Sequence, residues 1–348
     1  TFNKIFEKEV EIGIGKTEIF EFEFDRIYGV YPVLSSYGMC DIILKTCELK
    51  GQAETEEKII FDYPGGEYFS FHMHSAGMAT LVIKNTDDIE VKVKLSLIAP
   101  WYPIENEGSF ITSNEGLNKV YDVCKHTLKI CRQTIHLDST KHQELLACTG
   151  DYNIESLMTL FCFGDMRLAE FGLVRTARML ERENGRMFHT TYSLIWVRML
   201  YDTFMATGNM NLLMNCKKGL ELLLKRFEAY VGESGLIETP PDYMFIDWIF
   251  IDEISMHHPP KALGQTCLNL YYFAALGAAA EIYAILGETA MAEDCRNKRN
   301  TLQNAVNSQL FDKEKGMYFE GLNTPSEVDF SNWSWMVANV EKRYYLKQ

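Results

Sequence analysis

No stretch of this sequence reaches the roughly 18 to 20 consecutive apolar residues of a bilayer-spanning helix, so no membrane partner is expected. Positive charge is also short: 34 Lys and Arg against 48 Asp and Glu give a formal charge of -14. No basic cluster offsets it, and the long-range field has the wrong sign for nucleic acid or anionic lipid. There is no CxxC pair. The nine cysteines are scattered, and Cys124, Cys131 and Cys267 fall inside apolar helical patterns, which reads as buried thiols rather than a disulfide framework. GxGxxG, Walker and GxSxG motifs are all missing, so dinucleotide and nucleotide enzymes lose their usual signature and no cofactor is expected. His257 and His258 follow Glu253 but do not make HExxH, adjacent histidines do not readily face one ion, and Pro259-Pro260 breaks any helix there; no metal is expected. No signal-like apolar block opens the chain, a feature that processing would also remove, so the compartment stays open between cytoplasm and periplasm.

What is present describes a soluble, folded protein. The 348 residues suffice for a sizeable core and two domains, and 47% apolar with 13% aromatic content argues against disorder. Up to about residue 108 the pattern has period two: "EVEIGIGKTEIFEFEFDR" and "IEVKVKLSLIAP" alternate apolar and polar residues, with turns at "YPGGEY" and "KNTDD". This predicts a β-sandwich domain over 1–108. From 109 to 348 the period is helical. In "NEGLNKVYDVCKHTLKICRQT", Leu117, Val120, Tyr121, Cys124, Leu128 and Cys131 trace one helix side. Similar patterns cover 152–163, 166–183, 190–207, 212–231, 263–286 and 290–310, several ending near Gly208, Gly232 and Gly287, where glycine closes a helix. "LFDKEKGMYFEG" predicts a short hairpin after the last of them.

Three polar loops interrupt the helices. "LDSTKHQELLACTGDYNIES" (137–156) carries Asp138, Glu144, Asp151 and Glu155. Asp151 or Thr149 suits a helix N-cap. Glu144 enters the apolar "LLAC", where desolvation raises proton affinity and suits a general acid. "NGRMFHTTYSLIWV" brings His189 and Tyr192 to the start of an aromatic helix. "ETPPDYMFIDWIFIDEISMHH" brings Asp247 beside Trp248, either a core indole next to a solvated acid or a sugar platform, since pyranose faces stack on rings while hydroxyls bond carboxylates.

The stretch "DSTKHQELLACTGD" resembles the signature of the bacterial α-L-rhamnosidase family, DCPQRDERLGWTGD. "GSF" at 108–110 with "SNEGLNKVYD", then "YSLIWVRMLYDTFMATGN", "FIDW" and "CLNLYYFAAL", resemble family segments in the same order. The resemblance implies an N-terminal β-sandwich followed by an (α/α)6 toroid, and inverting hydrolysis in which an acid protonates the leaving oxygen while a second carboxylate, roughly 6.5 to 9.5 Å away, activates water. By matching positions it implies Glu144 as the catalytic general acid and Asp138 and Asp151 as substrate-binding acids, with Asp247 and Trp248 converging on the same pocket; His189 and Tyr192, from their own loop, are expected as substrate-binding residues on its rim. The expected partner is therefore an oligosaccharide or glycoside.

Departures from the family pattern bear on the substrate. Ser139, Thr140, Lys141, His142 and Gln143 replace Cys-Pro-Gln-Arg-Asp, and Cys148 replaces a Trp, removing a stacking surface. Terminal α-L-rhamnosides are the first expectation, with another deoxy-sugar or a uronic acid beside them; Lys141 suits an anionic sugar. A noncatalytic carbohydrate-binding relative and an oligosaccharide lyase or phosphorylase are the alternatives. A full toroid takes twelve helices, whereas seven are read before residue 311 and at most one in "VDFSNWSWMVANVEKRYYL". The family's base motif, resembling Trp-Glu-x-Trp, has no match: Glu341 is a poor substitute, and Asp252, Glu253 and Glu320 are the residues to test. The expectation is a truncated ring that self-associates through exposed terminal helices and is a poor catalyst alone.

Overall fold

The computed structural model describes residues 2–143, 148–240, 249–251, 254–256, 264–314, 316–318 and 321–322. Two compact units emerge: residues 1–145 with 161–164, and residues 146–160 with 165–348. The last strand of the first run ends at Pro100 and the first helix starts at Glu115, and that helix belongs to the same compact unit as the strands.

In the first unit the period-two segments form an antiparallel seven-stranded sheet: β1 (Phe2–Ile12), β2 (Thr17–Tyr37), β3 (Cys40–Cys47), β4 (Thr55–Phe61), β5 (Gly66–Phe69), β6 (His74–Asn85) and β7 (Val91–Pro100). The order is β1-β7-β2-β6-β3-β4, with β5 also on β2. β2 is the shared strand. Its first part pairs with β6 from Thr17↔Lys84, its second with β7 from Tyr31↔Ile98, and the register shifts between Glu23 and Tyr28. Alternation decides what is buried: Cys40, Ile42 and Leu44 of β3, Leu81 and Ile83 of β6, and Val91, Val93, Leu95 and Leu97 of β7 enter one core. Each such aliphatic side chain contributes about 1.5–3 kcal/mol when fully withdrawn from water.

α1 (Glu115–Cys131) starts on an Asn114 cap that accepts from the amides of Gly116 and Leu117. Its apolar stripe is only partly used. Leu128, Ile130 and Cys131 are buried, the last two joining a small cluster with Met73, Ile135 and Leu137, whereas Leu117 and Val120 are more than half exposed and Cys124 is exposed. The continuous buried side expected from spacing is therefore corrected: only the last turns of α1 carry residues of that cluster. Seven of the nine cysteines are buried and all nine are free.

The second unit holds α2 (Thr149–Phe163), whose end Phe161–Phe163 counts with the first unit, then α3 (Arg167–Arg182), α4 (Thr190–Thr207), α5 (Met210–Glu228), α6 (Thr266–Ile285) and α7 (Thr289–Gln309). α3 packs on α5, α4 on α6 and α6 on α7. Fully buried Trp196 of α4 donates its indole N–H to the Leu173 carbonyl of α3 at 3.2 Å. α6 is apolar on every side, and at 20 residues it is long and apolar enough to cross a membrane, which corrects the expectation that no segment is. Here it is a core helix, with Leu268, Leu270, Phe273, Leu276, Ala279 and Ile282 all buried. Gly208 ends α4 at φ 66. Gly232 does not end α5, which stops at Glu228; the chain enters a Val231↔Ile237 bridge, and a Cβ at 232 would lie 2.1 Å from the Glu238 carboxyl carbon. The expected hairpin forms, pairing Phe311↔Tyr318.

Two buried histidines give the first unit a pH-dependent stability. Burial, with the Arg132 charge adding to it, pushes the His136 imidazole down to about 3, and burial outweighs the pull of Glu57 to lower His74. A depressed histidine is stabilising above its unfolded value of about 6.5, and the stability is lost as pH falls below it, by about 1.4 kcal/mol per pH unit for each such group. Denaturant unfolding at pH 7 and pH 5 should show a loss that His136→Asn reduces by about 2 kcal/mol. An unchanged pH slope in that variant would exclude His136 as the cause.

Candidate functional site

The acid-rich loop begins where α1 ends. Arg132, wholly buried, lies over Tyr102 at 5.3 Å and Phe163 at 5.2 Å, and its backbone bridges to His136. Gln133 and Leu137 close this reversal by donating their N–H groups to Ile135 O and Cys131 O, both at 3.0 Å. Asp138 follows immediately. Its side chain is 17% exposed, and its Oδ2 stands 4.0 Å from His142 Nδ1. It lines a cavity of about 540 Å³ within the first unit, together with Val123, His126 and Ile130 on α1 and Arg26 and Glu48 on the strand side. Arg26 and Asp122 form a 2.8 Å ion pair, and His126 Nε2 donates to Ile27 O at 2.8 Å. The loop then closes as a turn on the sheet: Thr140 Oγ1 lies 2.7 Å from Ser75 Oγ, and Gln143 Nε2 donates to Met73 O at 2.8 Å.

In the second unit, α2 opens with Thr149, whose hydroxyl donates to the Tyr192 carbonyl at the start of α4. Gly150 leaves room for the Tyr192 ring, since a Cβ there would sit 2.5 Å from two ring carbons. Asp151 occupies the first turn of α2, where the helix dipole favours a carboxylate. His189 is the extended N-cap residue of α4; its ring meets those of Phe188 at 4.8 Å and Tyr192 at 5.1 Å. Cys148, the residue in place of the family's Trp, is fully buried next to this helix start. Buried Tyr152 has its hydroxyl pKa raised by that burial. A carboxylate at a helix N-terminus beside a His–Tyr rim offers hydrogen bonds and ring faces to a polyhydroxylated ligand.

The starts of α2 and α4 thus bring Asp151, Tyr192 and His189 to one end of the second unit, while Asp138 is held in the first. Glu144, Asp247, Trp248, Asp252, Glu253, His257, His258, Glu320 and Glu341 lie outside the described residues. Periodicity gave no sign of Ser75 or Met73 as loop partners, because these contacts join positions 65 and 70 apart in the chain.

The model of the bacterial alpha-L-rhamnosidase six-hairpin glycosidase domain matches residues 105–328. The chain belongs to this family. No curated protein matches it. Among solved structures, a rhamnosidase of Bacillus sp. GL1 superposes with a TM-score of 0.72 at 19% identity, covering 90% of this chain and 33% of that one. A Klebsiella oxytoca rhamnosidase with rhamnose bound gives 0.71 at 18% identity, covering 97% of this chain and 71% of that one. The α-L-rhamnosidase of Dictyoglumus thermophilum gives 0.68 at 15%, covering 89% and 38%. At such identities the likeness is one of fold, and the chain spans about a third of the Bacillus protein's length. The acid-rich stretch 138–151 lies wholly inside the segment matched by the six-hairpin glycosidase family.

The close fit at Gly150 is testable. Gly150→Ala should cost about 1–3 kcal/mol by overpacking against the Tyr192 ring, and Tyr192→Ala in the same chain should recover part of the loss. Thermal unfolding of the two single variants and the double variant checks this; strictly additive losses would show that the two positions do not meet.

Proposed function

We propose that this chain carries the proton-donor side of an inverting glycoside hydrolase acting on terminal α-L-rhamnosides or a related deoxy-sugar or uronic-acid glycoside. The observation that carries the reading is the family match over 105–328, which contains the entire acid-rich stretch. In this reading the helices are part of an (α/α)6 toroid accompanied by a β-sandwich.

Glu144 holds the proton and delivers it to the leaving glycosidic oxygen as the bond to the anomeric carbon breaks. Asp138 and Asp151 accept hydrogen bonds from sugar hydroxyls, and Asp247, Trp248, His189 and Tyr192 are further substrate-binding residues in this reading. A second carboxylate activates water on the opposite face of the ring, so the product has inverted configuration. Cys148 bears on the choice of sugar: a fully buried thiol stands where the family signature has a ring, which supports a sugar bound with fewer stacking contacts.

Glu144→Gln should retain the fold and lower turnover on a natural rhamnosyl disaccharide by about 10² to 10⁴, with a smaller loss on a dinitrophenyl glycoside, whose leaving group needs no proton. Proton NMR of the first-formed sugar should show the inverted anomer. Activity near that of the parent on the disaccharide would remove Glu144 from this role; sugar binding without turnover in a protein that also carries the second carboxylate would instead favour a noncatalytic relative.

A further inference from the structure

The cavity beside Asp138 is enclosed by three chain segments that are pinned to one another without any ligand. One wall is α1, whose Val123, Thr127 and Ile130 recur at helical spacing. Facing it is β2 at Asp25, Arg26 and Ile27, where its pairing with β6 shifts register. Helix and strand are joined at two points, the 2.8 Å Arg26–Asp122 ion pair and the His126 Nε2 bond to Ile27 O. The third wall is the turn at 138–140. Ser75 has one hydroxyl proton, given to Glu48 Oε1 at 2.8 Å, so the Thr140 hydroxyl 2.7 Å away is the donor to Ser75 and the turn is fixed to the strands. At about 540 Å³ the space falls within the range of small-molecule sites, about 300–1,000 Å³. Val123 is 61% exposed, so the cavity opens to solvent along the helix. A preformed, open cavity needs little ordering to accept a ligand.

The lining selects the ligand's chemistry. Its carboxylates, Asp25, Glu48, Asp122 and Asp138, only accept hydrogen bonds, whereas its donors are committed: Arg26 to Asp122, His126 Nε2 to Ile27 O and Thr140 to Ser75. Four carboxylates thus face one guanidinium in a chain of formal charge -14, and low-dielectric walls concentrate that field. An anion is disfavoured and a donor-rich cation favoured. Ile27, Val123 and Ile130 supply an aliphatic surface. Among the described residues no Phe, Tyr or Trp lines the cavity, so a pyranose finds no ring to stack on. The cavity makes the site; the charges only choose what fills it.

We propose that this cavity binds a small primary amine, its protonated ammonium held by Asp138 and Glu48 and its aliphatic body lying along Ile27, Val123 and Ile130. An alkylammonium has three donors and no acceptor, the complement of this lining. The site belongs to the first unit alone and goes beyond the glycosidase reading. Asp138 is common to both, so an amine bound here competes with any sugar that Asp138 holds.

The test titrates the full chain, labelled at its Ile and Val methyls for NMR, with hexylamine at pH 7, where the amine is protonated. Hexanol and hexanoate, which share the aliphatic body but carry no charge or the opposite one, are the controls. Hexylamine should shift the methyls of Ile27, Val123 and Ile130 and bind about tenfold more tightly than hexanol, the margin of a charge-assisted over a neutral hydrogen bond. Hexanoate should not bind. Asp138→Asn should weaken hexylamine about tenfold. Val123→Lys, at an exposed position, sets a tethered cation in the mouth and should weaken it similarly while the other methyl signals stay in place. Arg26→Gln removes the competing cation and should tighten binding about threefold, a gain that damage to the fold would not produce. Equal affinity for hexylamine and hexanol would overturn the proposal, and so would shifts spread over the acidic surface and indifferent to Asp138→Asn. Rhamnose moving these methyls where hexylamine does not would overturn it as well. None of these readouts needs turnover, so a failure of the glycosidase reading is told apart from a failure of the amine site.

Discussion

A fully buried guanidinium at the end of α1 governs the path of the loop leading to the acid-rich stretch. Arg132 can be taken out of water because its delocalised charge lies over the faces of Tyr102 and Phe163 and is more weakly hydrated than an ammonium. Its backbone does as much as its side chain. Arg132 N–H closes the last turn of the helix on Leu128 O, its carbonyl takes the Tyr102 N–H at 2.6 Å, and its bridge to His136 turns the chain back. His136, held neutral by burial and the neighbouring cation, fixes the other side of that reversal. Asp138 is two residues further on, so its position is inherited from a cation that has no chemical part in the site.

The sheet supplies the second constraint. A strand shared between two pairings has to bend, and β2 does so at its register shift between Glu23 and Tyr28. Gly29 and Val30 resume the pairing beside Ser75 and His74, and it is this resumed segment that receives the 139–143 turn. Met73 and Ser75, which hold the turn, flank His74, whose ring is packed among Thr46, Ser70 and Glu57. The polar groups at this end of β6 are therefore committed in two directions, outward to the loop and inward to the core.

Much of the architecture was legible because it depends on period. Strands buried by alternation and helices over 190–207, 263–286 and 290–310 emerge within a few residues of their patterns, since burial on one face or all round imposes that pattern. The failures are equally physical. Leu117 and Val120 have the spacing of a buried stripe, but spacing cannot say which turns of α1 meet another element. Gly232 has the look of a helix stop, but its smallness serves the close approach of Glu238. α6 escaped notice as an apolar run because Asn269, Tyr271 and Tyr272 interrupt it, although its mean hydropathy matches that of a spanning helix.

The site was legible in a different way. Asp151 is readable from local rules, because a carboxylate after a Thr-Gly pair before an apolar run belongs in a first helical turn. The role of Gly150 is not, since it depends on a ring 42 residues away, brought over by the Thr149–Tyr192 hydrogen bond and the packing of helix starts. The replaced positions of the signature carry the same lesson. Thr140 and Gln143, departures from the family's Pro and Asp, read as losses in one dimension. In the structure they are the two residues that tie the turn to the strands, through a hydroxyl and an amide that Pro and Asp do not possess. A signature altered at several neighbouring positions can therefore reflect a changed means of holding the loop as readily as a changed substrate, and the two are separated by asking whether each new side chain faces the sheet or the ligand. At Thr140 and Gln143, the answer is the sheet.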